Sequence, residues 1–248
     1  MKTGISTSVK TNGENWDRIS DLIDCDFNHI ELYNKITRIR LIDVIPLVEL
    51  KKQRNLTFSF HSMVQDLFCA DEIITTAELG CLRGEIRLAS LIGCDNLIFH
   101  ISKKTELNDE EIKNLVSLSK IASDSNLKLC LENNFSSGVF SGDYLVEIIT
   151  KIKDLNLCLD IGHCNVALNR GLIGDLSIFL NRVGDKIIEL HISYNNGKSD
   201  EHLELNDAGK VYLDNILNLI NKNNILAVIE TKNIKQAMKT KFYLEKYV

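Results

Sequence analysis

Short apolar runs of strand length alternate along the chain with segments of helical periodicity. Val, Ile and Leu dominate the runs, and turn-forming residues separate many of them from the next segment. The runs are Gly4–Val9, His29–Tyr33, Leu56–His61, Asn96–Ser102, Leu127–Asn133, Leu155–Ile161, Ile187–Ser193 and Leu226–Thr231. The segments with helical spacing are Trp16–Cys25, Leu41–Arg54, Asp71–Ile92, Asp109–Ser125, Gly142–Lys153, Leu172–Val183, Asp207–Asn221 and Ile234–Tyr247. This alternation predicts repeated β–α units and a parallel sheet.

The length of the chain favours one closed barrel over two smaller domains. Divided among eight strand–helix units, the 248 residues give about 31 residues per unit, the size of one unit in an eight-stranded barrel. An open, doubly wound sheet alternates in the same way, but its glycine-rich phosphate loop is missing, because Gly4–Val9 leads to Thr11-Asn12-Gly13 instead. We therefore predict an α/β fold with a single (β/α)8 TIM barrel domain over residues 1–248.

Composition restricts the function classes further. No apolar run approaches the roughly 20 residues of a membrane span, and residues 1–20 lack the apolar core of a signal peptide. The seven cysteines are scattered without a C-x-x-C pair, which argues against a disulfide framework or a thiolate zinc site. A net charge of −5 does not indicate a nucleic-acid surface. We expect a cytoplasmic protein without a membrane partner, and the sequence leaves the oligomeric state open.

Side chains that bind metals well stand at or just beyond the ends of six consecutive predicted strands. In a barrel these ends meet at one rim, where active sites are found. An unpaired buried charge costs on the order of several kcal/mol unless a cation or hydrogen bonds offset it. The donors, in chain order, are His61, His100, Glu132, Asp160 with His163, His191 and Glu230. Their recurrence predicts a metal site, whereas His29 opens its strand and is interpreted as structural.

Two further donors follow the seventh strand. Asn195, Asn196 and Gly197 end this strand with turn chemistry. Asp200 and His202 come next, and in an extended conformation their side chains point the same way. Such oxygen and nitrogen donors suit zinc or manganese.

Together these motifs resemble the xylose isomerase-like barrels, a superfamily that includes endonuclease IV and the sugar isomerases and epimerases. The resemblance extends over nearly the whole chain, and its motifs are Leu131-Glu132-Asn133, the D-x-x-H of Asp160 to His163, His191, the D-x-H of Asp200 and His202, and Glu230. In the epimerase branch it implies one divalent ion bound by Glu132, Asp160, His191 and Glu230. In the endonuclease branch it implies a trinuclear zinc cluster that also uses His61, His100, His163, Asp200 and His202. The expected cofactor is therefore one to three divalent ions, zinc or manganese, with cobalt and magnesium as further options.

The first functional hypothesis is an isomerase or epimerase of a small sugar or sugar phosphate. The resemblance implies that Glu132 and Glu230 move protons through a metal-stabilised enediolate and that His163 binds a substrate oxygen. Candidates to meet a substrate phosphate are Lys103, Lys104, Lys198 and Lys232, for which a solvated loop position is the other interpretation. Candidates for the pocket mouth are Trp16, Phe135 and Phe140, which are also ordinary packing residues.

The alternative is an endonuclease IV-like zinc phosphodiesterase, for which nucleic acid would be the partner. The number of donors favours it, but the residues after His61 are Ser62–Gln65, where endonuclease IV has an aromatic-containing loop that penetrates DNA. A further departure affects both branches, because the glycine-rich segment expected after the D-x-H is replaced by Leu203–Gly209. The string Asp200–Leu203 resembles that of proteins described as sugar phosphate isomerases and favours the first hypothesis. A third hypothesis is a non-catalytic barrel that binds a metal or ligand.

Overall fold

Eight parallel strands form a closed barrel in this computed structural model, which describes residues 1–13, 16–65, 67–101, 106–135, 142–220 and 225–245. Each strand pairs with the next along the chain, and β1 closes the ring by pairing with β8. The strands are β1 Lys2–Ser6, β2 His29–Tyr33, β3 Thr57–His61, β4 Asn96–Phe99, β5 Lys128–Glu132, β6 Leu155–Asp160, β7 Ile187–Ile192 and β8 Leu226–Ile229. The predicted (β/α)8 fold is confirmed.

Helices flank the barrel between successive strands. They are α1 Trp16–Asp24, α2 Asn34–Thr37, α3 Val44–Arg54, α4 Glu72–Ile92, α5 Asp109–Asp124, α6 Asp143–Lys151, α7 Ile161–Asn169, α8 Leu176–Val183, α9 Asp207–Leu219 and α10 Ile234–Leu244, with 3-10 turns at Leu41–Asp43 and Gly184–Lys186. None of the helices described is long and apolar enough to cross a membrane.

Side-chain capping explains where several helices begin and end. The Asn108 side chain accepts the backbone N–H groups of Glu110 and Glu111, and Glu111 caps Asn108 in return. Gly93 ends α4 with φ +77°, a left-handed conformation that glycine adopts without strain. The backbone therefore leaves α4 at a defined residue, shortly before β4 begins at Asn96.

Several predicted boundaries were wrong, among them those of the first strand, of the fourth strand, which ends at Phe99, and of the helix predicted from Leu172. The first strand begins at Lys2, because Lys2 already pairs with Leu226, and it ends at Ser6, where a turn closes with a Val9 N–H bond to the Ser6 carbonyl. The helix predicted from Leu172 begins at Leu176, whereas α7 was not predicted at all. Predicted element ends at Ser102, Asn221 and Tyr247 lie outside the described residues.

The apolar core lies mainly between strands and helices, and the interior of the barrel is largely polar. Alternate strand residues such as Leu97 and Phe99 join the main buried cluster, each contributing about 1.5–3 kcal/mol on burial. A separate small cluster of Ile98, Cys130 and Cys158 occupies part of the interior. Its buried polar neighbours include His29, Glu31, Ser59, Asn96 and Glu189. Because the apolar core lies mainly outside the barrel, charged side chains can occupy its carboxyl rim.

Candidate metal centre at the carboxyl rim of the barrel

The donors predicted from the strand ends converge at one rim. His61, Glu132 and Asp160 are the last residues of β3, β5 and β6. His100 and Glu230 directly follow β4 and β8, and His191 lies one residue before the end of β7. Parallel pairing places Asp160 directly opposite His191, whereas Glu132 lies opposite Cys158, two residues before Asp160.

Glu132 lies at the centre of this group and is almost fully buried. Its Oε2 atom is 3.0 Å from His61 Nε2, 3.2 Å from His100 Nε2 and 3.5 Å from His191 Nδ1. Its Oε1 atom is 3.3 Å from His163 Nδ1. One carboxylate is therefore shared by four imidazoles from four different parts of the chain.

The start of α7 places Asp160 and His163. The His163 N–H donates to Asp160 Oδ1 at 2.7 Å, so the last residue of β6 caps the helix that follows it. Asn133, which follows β5, connects that strand to the end of β6. Its side chain accepts the Asp160 N–H at 2.7 Å and donates to the Asp160 carbonyl at 3.0 Å. This gives the Asn of the Leu-Glu-Asn motif a structural role beside the metal-type donors.

The loop after β7 brings Asp200 and His202 to the same rim. Asp200 Oδ2 is 2.8 Å from His202 Nε2 and 3.3 Å from His163 Nε2. His202 has φ +47°, an unfavourable conformation for a residue with a side chain. Its Nδ1 contacts the Glu230 carbonyl at 2.8 Å, and its own carbonyl accepts the Lys232 N–H at 3.1 Å. These bonds to the end of β8 hold the strained residue in place.

Among the residues that the structure describes, three groups of donors have ligand atoms within 4.8 Å of one another. They are His61–His100–Glu132, Glu132–Asp160–His163 and Glu31–His191–Glu230. The four residues expected to share one ion fall into the second and third groups, which are linked by the 3.5 Å contact between His191 and Glu132. All nine predicted donors thus reach one rim, and their role as metal ligands stays a prediction.

Several buried donor atoms at this rim have no hydrogen-bond partner among the described residues. They are Asp160 Oδ2, His191 Nδ1 and Asp200 Oδ1. Such atoms are costly to bury alone, and a cation would satisfy them. The donor set contains imidazoles and carboxylates without thiolates, so it fits a divalent ion such as zinc or manganese.

The imidazoles keep the two central glutamates ionised. Burial alone would raise the pKa of both, but His100 and His191 hold the pKa of Glu132 well below its usual range. In the same way, His191 and His202 lower the pKa of Glu230 to about 2 against the effect of burial. Both carboxylates are therefore available at neutral pH as ligands and proton acceptors.

Two of the four imidazoles beside Glu132, those of His61 and His100, differ in protonation. Burial lowers the pKa of His100 to about 4, despite the nearby Glu132 charge. For His61 the effect of burial is outweighed by the Glu132 hydrogen bond and the Glu31 charge, and the pKa rises to about 9. A metal that binds His61 must therefore displace its proton at neutral pH.

A cavity of about 790 Å³ opens above the donors, within the size range of small-molecule sites. Its walls include Tyr33, whose ring packs edge-on against His61 at 4.5 Å, and Phe135, whose ring lies 4.9 Å from that of His163. The described lining residues include neither lysine nor arginine. The cavity therefore combines an ionic floor with partly aromatic walls.

The outcome for the other predicted pocket residues is mixed. Phe135 lines the cavity, as expected. Trp16 does not line its described wall, because its indole packs at the start of α1 and donates to Asp43 Oδ1 at 3.2 Å. Lys198 and Lys232 are also not among the described lining residues. Phe140, Lys103 and Lys104 lie outside the described residues.

One charged residue beside the site, Glu31, was not predicted from the sequence. Glu31 is fully buried in β2, and its Oε2 atom is 3.0 Å from His191 Nε2. A signal was available in the strand, because His29, Glu31 and Tyr33 alternate with Ile30 and Leu32. That alternation places the three polar residues on one face.

Comparisons with known proteins agree with this architecture. A family model described as xylose isomerase-like TIM barrel matches residues 19–245. An uncharacterized protein of Methanocaldococcus jannaschii, MJ1311, is 28% identical over 219 residues, which are 82% of this chain and 73% of the relative. A solved D-tagatose 3-epimerase-like protein superposes with a TM-score of 0.82 at 24% identity, covering 100% of this chain and 97% of that one. The structure of an IOLI protein with a binding zinc atom has a TM-score of 0.78 at 17% identity, covering 100% and 99% of the two chains.

Proposed function

Since the chain belongs to the xylose isomerase-like TIM barrel family, we propose that it is a divalent-metal-dependent isomerase or epimerase of a small sugar or sugar phosphate. The observation that carries this proposal is a pair of buried glutamates beside one imidazole nitrogen. His191 Nδ1 lies 3.5 Å from Glu132 Oε2 and 3.3 Å from Glu230 Oε2. The epimerase-like structural neighbour and the zinc-bound IOLI protein support the same choice.

Glu132, Asp160, His191 and Glu230 would hold the ion in this proposal. A bound divalent ion supplies Lewis-acid polarisation of the sugar oxygens, which makes the neighbouring C–H group more acidic. The zinc-bound IOLI structure and the partnerless atoms Asp160 Oδ2 and His191 Nδ1 support such a site.

The two glutamates would move the proton. One ionised carboxylate accepts a proton from the carbon beside the carbonyl, which leaves an enediolate. Return of a proton to the opposite face of that carbon gives the epimer, and return to the neighbouring carbon gives the isomer. The Ser8 hydroxyl donates to Glu230 Oε1 at 3.3 Å and would orient this carboxylate.

His163 would contact the substrate rather than the ion. Its ring lies on the cavity wall between Glu132 and Asp200, with Phe135 packed against it. In this position its Nε2 atom can donate to a sugar hydroxyl. The Phe135 ring would cover an apolar face of the sugar, as aromatic side chains do in pockets of this size.

A second candidate is a phosphodiester hydrolase with a multinuclear metal cluster. It is favoured by the His61–His100–Glu132 group and by Asp200, which lies between His163 and His202. These donors exceed what one ion requires, and paired ions can clamp the attacking and leaving oxygens of a displacement. The described cavity wall, however, offers no lysine or arginine to a phosphate backbone.

Solvent exchange separates the two candidates. Purified protein loaded in turn with manganese, cobalt, magnesium and zinc is incubated in D2O with a panel of ketoses and their phosphates. We expect NMR to show deuterium on a carbon next to the carbonyl of one substrate, and this signal should vanish in Glu230→Gln. The matched control is Glu204→Gln, which changes a partly exposed carboxylate paired with Lys239.

Cleavage of abasic duplex DNA would contradict the proposal if it is lost in Glu132→Ala and no sugar exchanges deuterium. Metal content gives a second measure. One manganese, cobalt or magnesium per chain supports the isomerase, whereas two or three zinc ions support the hydrolase. A metal-loaded protein that is inactive in both assays would point to a binding barrel.

A further inference from the structure

We propose that Glu31 is a positioning residue that holds His191 with its Nε2 atom protonated, so that Nδ1 is the atom presented to the metal. This inference deepens the proposed function and rests on its metal site. Glu31 itself is on the barrel interior and not on the cavity wall described above.

The contact between the two residues fixes the donor. Glu31 Oε2 lies 3.0 Å from His191 Nε2, and neither side chain is exposed to solvent, so water does not compete for the bond. An ionised carboxylate can only accept a hydrogen bond. His191 must therefore donate from Nε2.

The opposite edge of the same ring faces the rim. Glu230 Oε2 and Glu132 Oε2 lie 3.3 Å and 3.5 Å from His191 Nδ1, yet within the described chain Nδ1 makes no aligned hydrogen bond. A buried nitrogen between two carboxylates, without a bond to either, is placed as a ligand would be. In a neutral ring with Nε2 protonated, Nδ1 keeps its lone pair.

The backbone around Glu31 makes this support rigid. The Thr7 N–H donates to the Glu31 carbonyl at 2.9 Å, and parallel pairing places Glu31 opposite Ser6 on one side and Ser59 on the other. The His191 ring also stacks on His61, with centroids 5.6 Å apart. Both partners of the bond are therefore held from several directions.

The energetics argue that Glu31 has a role beyond packing. A buried carboxylate is costly unless it is paired, and apolar residues of similar volume are often equal or better for stability. Metal-binding histidines commonly donate their second ring N–H to a carboxylate, and loss of that partner weakens metal binding about 10- to 100-fold. The Glu31–His191 contact has this arrangement.

Glu189 offers a matched control. It is another fully buried glutamate of the barrel interior, two residues before His191 on β7. Its carboxylate accepts hydrogen bonds from Ser59 Oγ at 3.1 Å and Asn96 Nδ2 at 2.7 Å rather than from His191. Burial and the nearby Glu31 raise the pKa of Glu189 to about 8. Glu189→Gln therefore changes another fully buried carboxyl group of the barrel interior without removing the bond to His191.

The test compares zinc affinity by chelator competition in the wild type, Glu31→Leu, Glu31→Gln and Glu189→Gln. We expect Glu31→Leu to bind zinc about 10- to 100-fold more weakly. Glu31→Gln should lose less, because its side-chain oxygen can still accept the N–H bond, and Glu189→Gln should stay close to wild type. Wild-type affinity in Glu31→Leu would overturn the proposal.

A second measurement does not depend on any variant of Glu31. Long-range 1H–15N NMR of 15N-labelled wild-type protein reports which ring nitrogen carries a proton, with the His191 signals identified by their loss in His191→Gln. We expect a proton on Nε2 both with and without zinc, and an unprotonated Nε2 would overturn the proposal even if the Glu31 variants fail to fold. Wild-type protein that binds no divalent metal would contradict the proposed function instead, and an unprotonated Nε2 in the metal-free spectrum would still rule out the Glu31 contact.

Discussion

Glu132 Oε2 lies 3.0 Å from His61 Nε2, although 71 residues separate the two in the chain. The contact links the ends of β3 and β5, two strands that do not pair with each other. Because His100, His163 and His191 also lie within 3.5 Å of this carboxylate, its loss affects every part of the candidate site. Glu132 is also the residue shared by two of the three donor groups.

Glu132→Gln should therefore remove metal binding as well as activity. The amide keeps the shape of the side chain but not the charge that draws a cation and the neighbouring imidazoles together. We expect no stoichiometric uptake of zinc or manganese by elemental analysis after dialysis, and no deuterium exchange. Full metal content in a folded variant would show that the ion binds elsewhere.

Glu230→Gln should abolish turnover under either proposed mechanism. Its carboxylate lies 3.3 Å from His191 Nδ1 and is kept ionised by the surrounding imidazoles. Loss of a positioned proton-transfer group typically costs about 10²- to 10⁴-fold in rate. The rate of deuterium exchange at saturating metal is the measurement, and a nearly wild-type rate would place the reaction at other residues.

The double change Asp200→Ala with His202→Ala separates one ion from several. An isomerase should lose little activity, because its single ion would be bound by four other residues. These are Glu132, Asp160, His191 and Glu230. A hydrolase with a metal cluster should lose most of its activity and at least one ion per chain. Severe loss of sugar exchange with unchanged metal content would contradict the mild effect expected here, and would indicate that this pair binds the sugar substrate.

Much of the barrel could be predicted because each strand and helix has a pattern of apolar and polar residues within a short stretch of sequence. The period of two in His29–Tyr33 and the donor at the end of each later strand are features of a few neighbouring residues. Once a barrel is inferred, its geometry brings the strand ends to one rim without further information. The convergence of His61, Glu132 and Glu230 could therefore be expected before any coordinates.

The contacts inside the barrel could not be predicted in the same way. Glu31 and His191 are 160 residues apart in the chain. Their contact depends on strand register and on which face of its strand each residue occupies. The helix α7 was not predicted because Asp160 is both the last residue of β6 and the N-cap of α7, so no loop separates the two elements. Trp16 was a candidate for the pocket mouth, with packing as the other interpretation, and its bond to Asp43 agrees with the packing role.

His29, at the end of the barrel opposite the carboxyl rim, allows a separate prediction about stability. His29 opens β2 there, with ring contacts of 2.8 Å to Thr57 Oγ1 and 3.0 Å to Ser59 Oγ. Burial, together with the charges of Lys2 and Lys51, lowers the pKa of His29 from 6.5 to about 3. The folded protein therefore keeps this ring neutral at a pH where the unfolded chain protonates it.

Acid should consequently weaken the fold through His29. As the pH falls from about 6.5 towards 3, only the unfolded state gains this proton, so the free energy of unfolding drops by up to about 1.4 kcal/mol per pH unit. His29→Gln keeps a hydrogen-bonding side chain that does not titrate. The variant should be less stable than wild type near neutral pH. The difference should shrink as the pH falls, because only the wild type has a histidine here whose protonation stabilises the unfolded chain. Urea unfolding from about pH 7 to about pH 5 measures the difference, and a constant gap would show that His29 takes up its proton at the same pH in the folded and unfolded states.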